Sequence, residues 1–251
     1  MRAALEFQTE KDFKLPIHHN HIIQGFIYNS ISKKLAKMLH DKGFVSNNRK
    51  FKLFTFSRVE GNFRINKNDN SITFTPPFRL VISSALNQFI EEIGNEMLRK
   101  ENLKISANNV KVNSIEISKP EFKEDKVKIK MLSPMTIYST LSKADGKKKT
   151  YYYSPFEDEF SQLISENAKK KFNAFSNNGK KTKEPDGGIK LKPLKVNSNN
   201  QKIINYKETI IKGWMGIYEL SGSMELLKMV HDTGLGGKNS QGFGCFEVID
   251  I

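Results

Sequence analysis

The chain is short of several things, and each shortage removes a class of answer. It has one cysteine, Cys245, so an intramolecular disulfide or a multi-cysteine zinc site is impossible. It has one tryptophan, eight prolines and no long uncharged apolar run, which argues against a membrane-spanning helix. Residues Met1 to Glu10 lack the charged segment and apolar stretch of a secretory signal, so a cytoplasmic location is expected. Acidic residues are also scarce beside basic ones, 27 against 41, which leaves a net charge of +14 and a pI near 9.6. A polyanionic partner fits that excess, with nucleic acid ahead of an anionic membrane surface, because no isolated basic amphipathic helix is visible.

What is present suffices for a sizeable core. The 251 residues include 18 phenylalanines and 7 tyrosines, and that length allows one large domain or two of about 100 to 150 residues. Arg2 to Gln8 alternates as a first strand. From Ile17 to Met38 the apolar residues Ile22, Ile23, Phe26, Ile27, Ile31, Leu35 and Met38 recur at three and four, the mark of a helical face, and Gly43 ends the helix. Phe51 to Ser57 reads as a strand, with Phe51 and Leu53 on one face and Lys52, Phe54 and Phe56 on the other. A hairpin over Asn62 to Ile65 and Ser71 to Thr75, a strand from Phe78, a helix from about Ser84 to Lys100 with Leu86, Phe89, Ile90, Ile93, Met97 and Leu98 inward, and a strand from Val110 to Ser118 follow.

The second part gives the same order again. Lys126 to Leu132 is a strand, and Met135 to Leu141 continues extended. Tyr151 to Pro155 enters a helix with Phe156, Phe160, Leu163, Ile164 and Phe172 on its apolar side. Asn177 to Gly188 is expected as an exposed loop, Lys202 to Lys212 and Trp214 to Ser221 as adjacent strands, Met224 to Val230 as a helix, and Phe243 to Ile251 as a last strand. Strand, helix, two strands, helix, strand is the βαββαβ order of ferredoxin-like and RNA-recognition-motif folds. The expected fold class is therefore α+β, two tandem ferredoxin-like units over 1–120 and 124–251.

Near the end lies Gly234-Leu235-Gly236-Gly237-Lys238-Asn239-Ser240-Gln241-Gly242-Phe243-Gly244. Glycine permits positive φ and close approach of another backbone, which suits a phosphate-rich ligand. A dinucleotide fingerprint or a Walker loop would follow a strand and open a helix. Here a helix, with Ser223 as N-cap and Gly234 as C-cap, precedes the glycines and a strand follows. Asn239 also stands after Lys238 where a Walker loop has Ser or Thr, so nucleotide hydrolysis is not expected.

This stretch resembles the C-terminal signature of the endoribonucleases that cut CRISPR precursor RNA, the Cas-six family: Gly-h-Gly, five residues, Gly-h-Gly, with Leu235 and Phe243 in the apolar positions. The resemblance implies two tandem ferredoxin-like units with a C-terminal glycine-rich loop. It also implies a metal-independent cut within each repeat, without cofactor, in which the ribose 2′-hydroxyl attacks the adjacent phosphate to give 2′,3′-cyclic phosphate and 5′-hydroxyl ends. Such chemistry needs a base, an acid and a donor or cation for the charged phosphate.

Leu39-His40-Asp41-Lys42-Gly43-Phe44 resembles the family stretch around its catalytic histidine, and Phe51-Lys52-Leu53-Phe54-Thr55-Phe56-Ser57 its next strand. The resemblance thus makes His40, Lys52 and Tyr28 the catalytic candidates, with His18 or His21 as substitutes. From the residues alone, His40 reads equally as a helix-end residue, Lys52 as a solvated strand residue and Tyr28 as a packing residue. His231 reads as a residue capping its helix. The histidines at 18 and 21 have no acidic or cysteine partner spaced for a metal site.

For RNA binding the candidates are Gly234, Gly236, Gly237, Lys238, Asn239, Ser240, Gln241, Gly242 and Gly244, with Arg58 and Arg64 extending a phosphate track and the lysines from Lys169 to Lys195 as further candidates. CRISPR repeat RNA is the expected partner, with other interference-complex subunits conceivable and the chain a monomer or homodimer. A ferredoxin-like subunit that holds CRISPR RNA without cutting it stands as the alternative. An unrelated RNA-recognition motif would use Phe54 and Phe56 as exposed stacking residues.

Overall fold

The computed structural model describes residues 1–46, 49–119, 121–142, 146, 148–176, 185 and 187–249. Most of the loop expected at 177–188, including Lys180, Lys181 and Lys183, lies outside them. Strands β1 (Arg2–Gln8) and β2 (Phe13–Pro16) lead into α1 (Asn20–Asn29). The single helix expected to reach Met38 is divided into α1, a short α2 (Lys33–Lys37) and a π-helical turn over Met38–Lys42. Serines make the break. Ser30 donates its hydroxyl to the Phe26 carbonyl at 2.9 Å, and Ser32 caps α2 by accepting from the Leu35 N–H at 3.3 Å. The apolar face survives the break, because Ile23, Phe26, Ile27, Leu35 and Leu39 are all buried.

The strand expected over Phe51 to Ser57 is also divided. A hairpin of β3 (Phe44–Ser46) and β4 (Arg49–Phe51) ends at Lys52, Leu53 turns with φ 55, and β5 (Phe54–Phe56) resumes. Leu53 holds that uncommon conformation while its carbonyl accepts from the Ala85 N–H and the Ser84 hydroxyl, at 3.2 and 2.9 Å. Both faces of β5 are buried, so the expected two-faced alternation does not hold. Phe54 and Phe56 are 0% and 1% exposed, which removes them as stacking residues of an RNA-recognition motif.

A hairpin of β6 (Glu60–Asn66) and β7 (Ser71–Ser84), then α3 (Asn87–Arg99), β8 (Leu103–Ile105) and β9 (Asn108–Ser118), complete the first sheet. Its order is β2-β7-β1-β9-β8, with β5 and β6 also on β7. Within it, β9-β1-β7 flanked by β5 and β6 is the 4-1-3-2 order of a ferredoxin-like sheet. Phe89, Ile90, Ile93 and Met97 of α3 cover it, whereas Leu98, expected among them, points outward and is 79% exposed.

The second sheet repeats that order as β13-β16-β10-β17, from β10 (Lys126–Met131), β13 (Ile189–Lys195), β16 (Ile217–Gly222) and β17 (Phe246–Ile249), with α4 (Asp158–Ser176) and α5 (Met224–Thr233) as its helices. Two hairpins are inserted: β11 (Tyr138–Ser142) with β12 (Lys148–Tyr152), and β14 (Gln201–Tyr206) with β15 (Thr209–Trp214). Lys202 to Lys212 is thus a hairpin rather than one strand, turned by Lys207 and Glu208 at φ 46 and 66. Trp214 closes that hairpin, and Tyr151 and Tyr152 close β12 instead of opening α4. Strand β13 was hidden in sequence by Pro193. It sits at the sheet edge, paired only with β16, where proline is tolerated.

The two sheets are joined through buried contacts. Ala4, Val81, Leu132 and Cys245 pack in one cluster, which makes Cys245 the small buried residue expected. Arg2 donates to the Ser83 hydroxyl and to the Phe246 carbonyl, both at 2.7 Å, and so ties β7 to β17.

Candidate nucleic-acid interface

The glycines of 234–244 have a local job visible at each position. Gly234, Gly236, Gly242 and Gly244 take φ of 85, 69, 83 and 81, and a Cβ on Gly236 or Gly244 would stand 2.3 Å from the Thr136 carbonyl oxygen or 2.0 Å from that of Leu235. The close approach that glycine permits is here to the chain's own backbone. Leu235 and Phe243, both 0% exposed, anchor the two stems, and Asn239 braces them by donating Nδ2 to both of their carbonyls at 3.0 Å. Several amides of the segment are spoken for: Leu235 N–H goes to Gly244, Gly237 N–H to Thr136 and Gly244 N–H to Pro134. Only the tip from Gly237 to Gln241 is half-exposed.

Neighbouring elements hold that tip in place. From α1, Asn20 donates to the Gln241 carbonyl at 2.8 Å and Gln24 to the Ser240 carbonyl at 2.6 Å. From α4, the buried Lys171 donates Nζ to the carbonyls of Gly234 and Gly236 at 2.6 and 2.8 Å, and burial pulls its amine down to about 7. Thr55 of β5 donates to the Phe243 carbonyl at 2.9 Å. Lys238, at φ 57, lays its amine 5.0 Å from the Tyr138 ring centre, and burial lowers its pKa.

A groove of about 710 Å3 opens between this tip and the segment from Arg49 to Phe54. Lys238, Ser240 and Gln241 line one side, Lys50 and Lys52 another, and Tyr138 of β11 a third. The Lys52 amine reaches the end of the π-helical turn and donates to the carbonyls of Leu39 and His40. Burial first, then the nearby Lys50, lowers its pKa. His40 itself is exposed, with Nδ1 2.9 Å from the Asp41 carboxylate. The structure thus joins Lys52 to the loop tip in one groove and to His40 through the backbone.

Other candidates stand apart from that groove. Tyr28 packs its ring edge-on against Phe54 at 5.7 Å and lines a separate hollow with Ser30, Ser32 and Glu92; burial pushes its hydroxyl up to about 12. Arg64 lies on β6, 2.6 Å from Asp12, in a third hollow, and Arg58 is exposed between β5 and β6. His18 accepts from the Asn205 N–H at 3.4 Å and His21 sits edge-on to Tyr206, so both meet β14. His231 is not a surface cap. It is buried against Phe122 and Phe246 beside Asp232, and that burial lowers its pKa to about 4.

Asn20, Gln24, Tyr138 and Asn167 escaped the sequence reading, and Lys171, expected among the phosphate-facing lysines, is instead buried beneath the loop. One signal existed for the α4 pair. Phe160, Ile164, Asn167 and Lys171 follow the three-and-four spacing of the buried face, so Asn167 and Lys171 continue an apolar stripe with polar residues.

Comparison with known proteins agrees with this arrangement. Residues 14–116 match the family model described as CRISPR-associated protein Cas6, N-terminal, and residues 117–248 that described as CRISPR associated protein Cas6, C-terminal. The chain is similar to the CRISPR-associated endoribonuclease Cas6 1 of Methanocaldococcus jannaschii, 30% identical over 247 residues that cover 97% of this chain and 91% of that protein. Among solved structures it resembles a CRISPR associated protein Cas6, with TM-score 0.79 and 29% identity over 100% of this chain and 99% of that one. It also shares the fold of an RAMP protein binding different RNA substrates, with TM-score 0.78, 20% identity and full coverage of both chains. With both family models matched end to end across its two ferredoxin-like sheets, the chain belongs to the CRISPR-associated Cas6 family.

Proposed function

We propose that this chain cleaves CRISPR precursor RNA within its repeats, without a metal, by attack of a ribose 2′-hydroxyl on the neighbouring phosphate. The observation that supports it most is the shared groove: Lys52, bonded to the carbonyl of His40, faces the polar loop tip from Lys238 to Gln241. The relative in Methanocaldococcus jannaschii is named an endoribonuclease, which supports cutting over holding.

In this reading the 2′-oxygen forms a bond to phosphorus as the bond to the 5′-oxygen breaks, leaving 2′,3′-cyclic phosphate and 5′-hydroxyl ends. A carboxylate beside His40 Nδ1 favours the proton on that nitrogen, which leaves Nε2 to accept the 2′ proton. Lys52 supplies positive charge to the phosphate as negative charge builds on it. The leaving 5′-oxygen takes its proton from water, and Tyr28, whose hydroxyl burial keeps protonated in the separate hollow next to Phe54, enters as an outlying hydrogen-bond donor.

RNA is held by Gly237, Lys238, Asn239, Ser240 and Gln241, while Gly234, Gly236, Gly242 and Gly244 shape the loop that presents them. Arg58 and Arg64 are outlying phosphate contacts. We assign the reacting groups to a unit spanning 1–120 and the RNA-holding loop to one spanning 124–251. The test is incubation with the repeat RNA of the same genome in EDTA, beside His40→Ala. Cleavage by the wild type to cyclic-phosphate ends, lost in a variant that still binds, is the expected result. Binding without cleavage by the wild type would leave a carrier subunit instead.

A further inference from the structure

The floor of the groove holds acceptors that the described residues do not satisfy. Asn167 is 6% exposed, and its Oδ1 has no hydrogen-bond partner among the described residues; the Oε1 of Gln241 is buried and unpartnered in the same way. Both residues line the groove. A buried carbonyl oxygen without a donor is costly, and native folds keep few of them. One turn along α4, Lys171 is committed to the loop, with two of its three N–H donors on Gly234 and Gly236.

An unpaired acceptor selects its ligand by what it repels. Phosphate oxygens carry only lone pairs, so they are kept from the Oδ1 of Asn167, while Lys50, Lys52 and Lys238 at the rim offer them positive charge. A donor is required below. The parts of single-stranded RNA that offer one are the edge of an unstacked base and the ribose 2′-hydroxyl. Tyr138, whose ring already carries the Lys238 amine, is a wall of the same groove against which a base can stack.

Building on the reading that this groove takes RNA, we propose that Asn167 Oδ1 is a specificity contact, accepting a hydrogen bond from one nucleotide of the bound repeat. The donor is a base amino group or a 2′-hydroxyl at that nucleotide. The contact lies on α4, outside both the loop and the reacting groups, so it discriminates among RNAs without taking part in the cut.

The experiment pairs protein variants with altered RNA. Dissociation constants are measured for the full chain, wild type and Asn167→Ala, against the repeat RNA of the same genome. One RNA series carries single 2′-deoxy positions; the other replaces one base at a time with an analogue lacking its amino group, such as inosine for guanosine or uridine for cytidine. At one position, a single change weakens wild-type binding about tenfold, the expected size for losing a donor to a buried acceptor. Asn167→Ala binds the unaltered RNA about tenfold more weakly and loses nothing further at that position. The series in which the loss occurs names the donor. Asn167→Asp, which keeps an acceptor oxygen, retains sensitivity at the same position, and thermal unfolding of each variant separates lost contact from lost fold. Asn167→Ala binding within twofold of wild type, or losses that simply add at every position, would overturn the inference while leaving the cleavage reading intact. Wild-type protein that binds no repeat RNA would overturn both.

Discussion

Gln24, on the first helix, donates its side-chain amide to the carbonyl of Ser240 at the tip of the glycine segment, at 2.6 Å and across 216 residues of sequence. One turn before it Asn20 grips Gln241, so the loop tip is placed by the first ferredoxin-like unit rather than by its own strand and helix alone. Gln24→Ala removes one bond to the loop and the Tyr206 hydroxyl's acceptor, and Asn20→Ala removes the bonds to the Gln241 and Gly242 carbonyls. Each is expected to cost about 1 kcal/mol of stability and to weaken RNA binding several-fold more than an exposed control on α1. Urea unfolding and a filter-binding curve for each variant check this; unchanged affinity would mean that the tip holds its shape without α1.

The glycines predict a sharp contrast. Gly244→Ala and Gly236→Ala drive a methyl into backbone oxygens at positive φ, and a loss of about 2–4 kcal/mol is expected for each. Gly25, exposed on α1 with nothing within 4 Å of its Cβ position, is the opposite case, and Gly25→Ala is expected to add about 0.5–1 kcal/mol. Equal effects at the three positions would contradict the account of the loop stems.

Lys52 has two duties, holding the carbonyls at the end of the π-helical turn and presenting charge to the groove. Lys52→Met removes both. Single-turnover cleavage is expected to fall by about 10²–10³-fold, the range for losing a donor that meets developing charge. RNA affinity should change far less. An equal fall in both quantities would make Lys52 a binding residue only.

Stability should rise with pH on two limbs. His19 and His231 are buried and neutral, with pKa lowered to about 4, whereas an unfolded histidine takes its proton near 6.5. Between those values the unfolded chain binds more protons, so stability is lost as pH falls from 6.5 toward 4. Lys171 repeats the logic higher up. Burial brings it to about 7, the unfolded side chain holds its proton to about 10.4, and stability therefore grows as pH rises from 7 through that window. Urea midpoints from pH 4 to 9.5 check both limbs, with Lys171→Met expected to flatten the upper one. An upper limb unchanged in that variant would contradict the assignment to Lys171.

Much of the fold was legible because the periodicities of its long elements are strong. The face of α3 from Phe89 to Met97 and the strands around Ala4 and Ile129 need no tertiary knowledge. Failures fell where a local choice depends on a distant partner. Leu53 turns against Ser84 and Ala85, Ser30 and Ser32 divide a pattern that looked continuous, and β13 is tolerated with Pro193 because it lies at an edge. In the candidate site, the glycine spacing was plain, but its tight packing on Thr136 and Leu235 was not. Asn167 stayed hidden, and Lys171 was expected only as one of a run of surface lysines, because a polar residue on a helix reads as solvated until its neighbours on the same stripe are counted.

The central claim is attack by the ribose 2′-hydroxyl within a CRISPR repeat. Its most direct test is single-turnover cleavage, in EDTA, of repeat RNA carrying one 2′-deoxy nucleotide immediately upstream of the scissile phosphate. The account predicts that this RNA binds as tightly as the unmodified repeat and is not cut, while the unmodified repeat yields a cyclic phosphate. Cleavage of the deoxy RNA at the normal rate would contradict it.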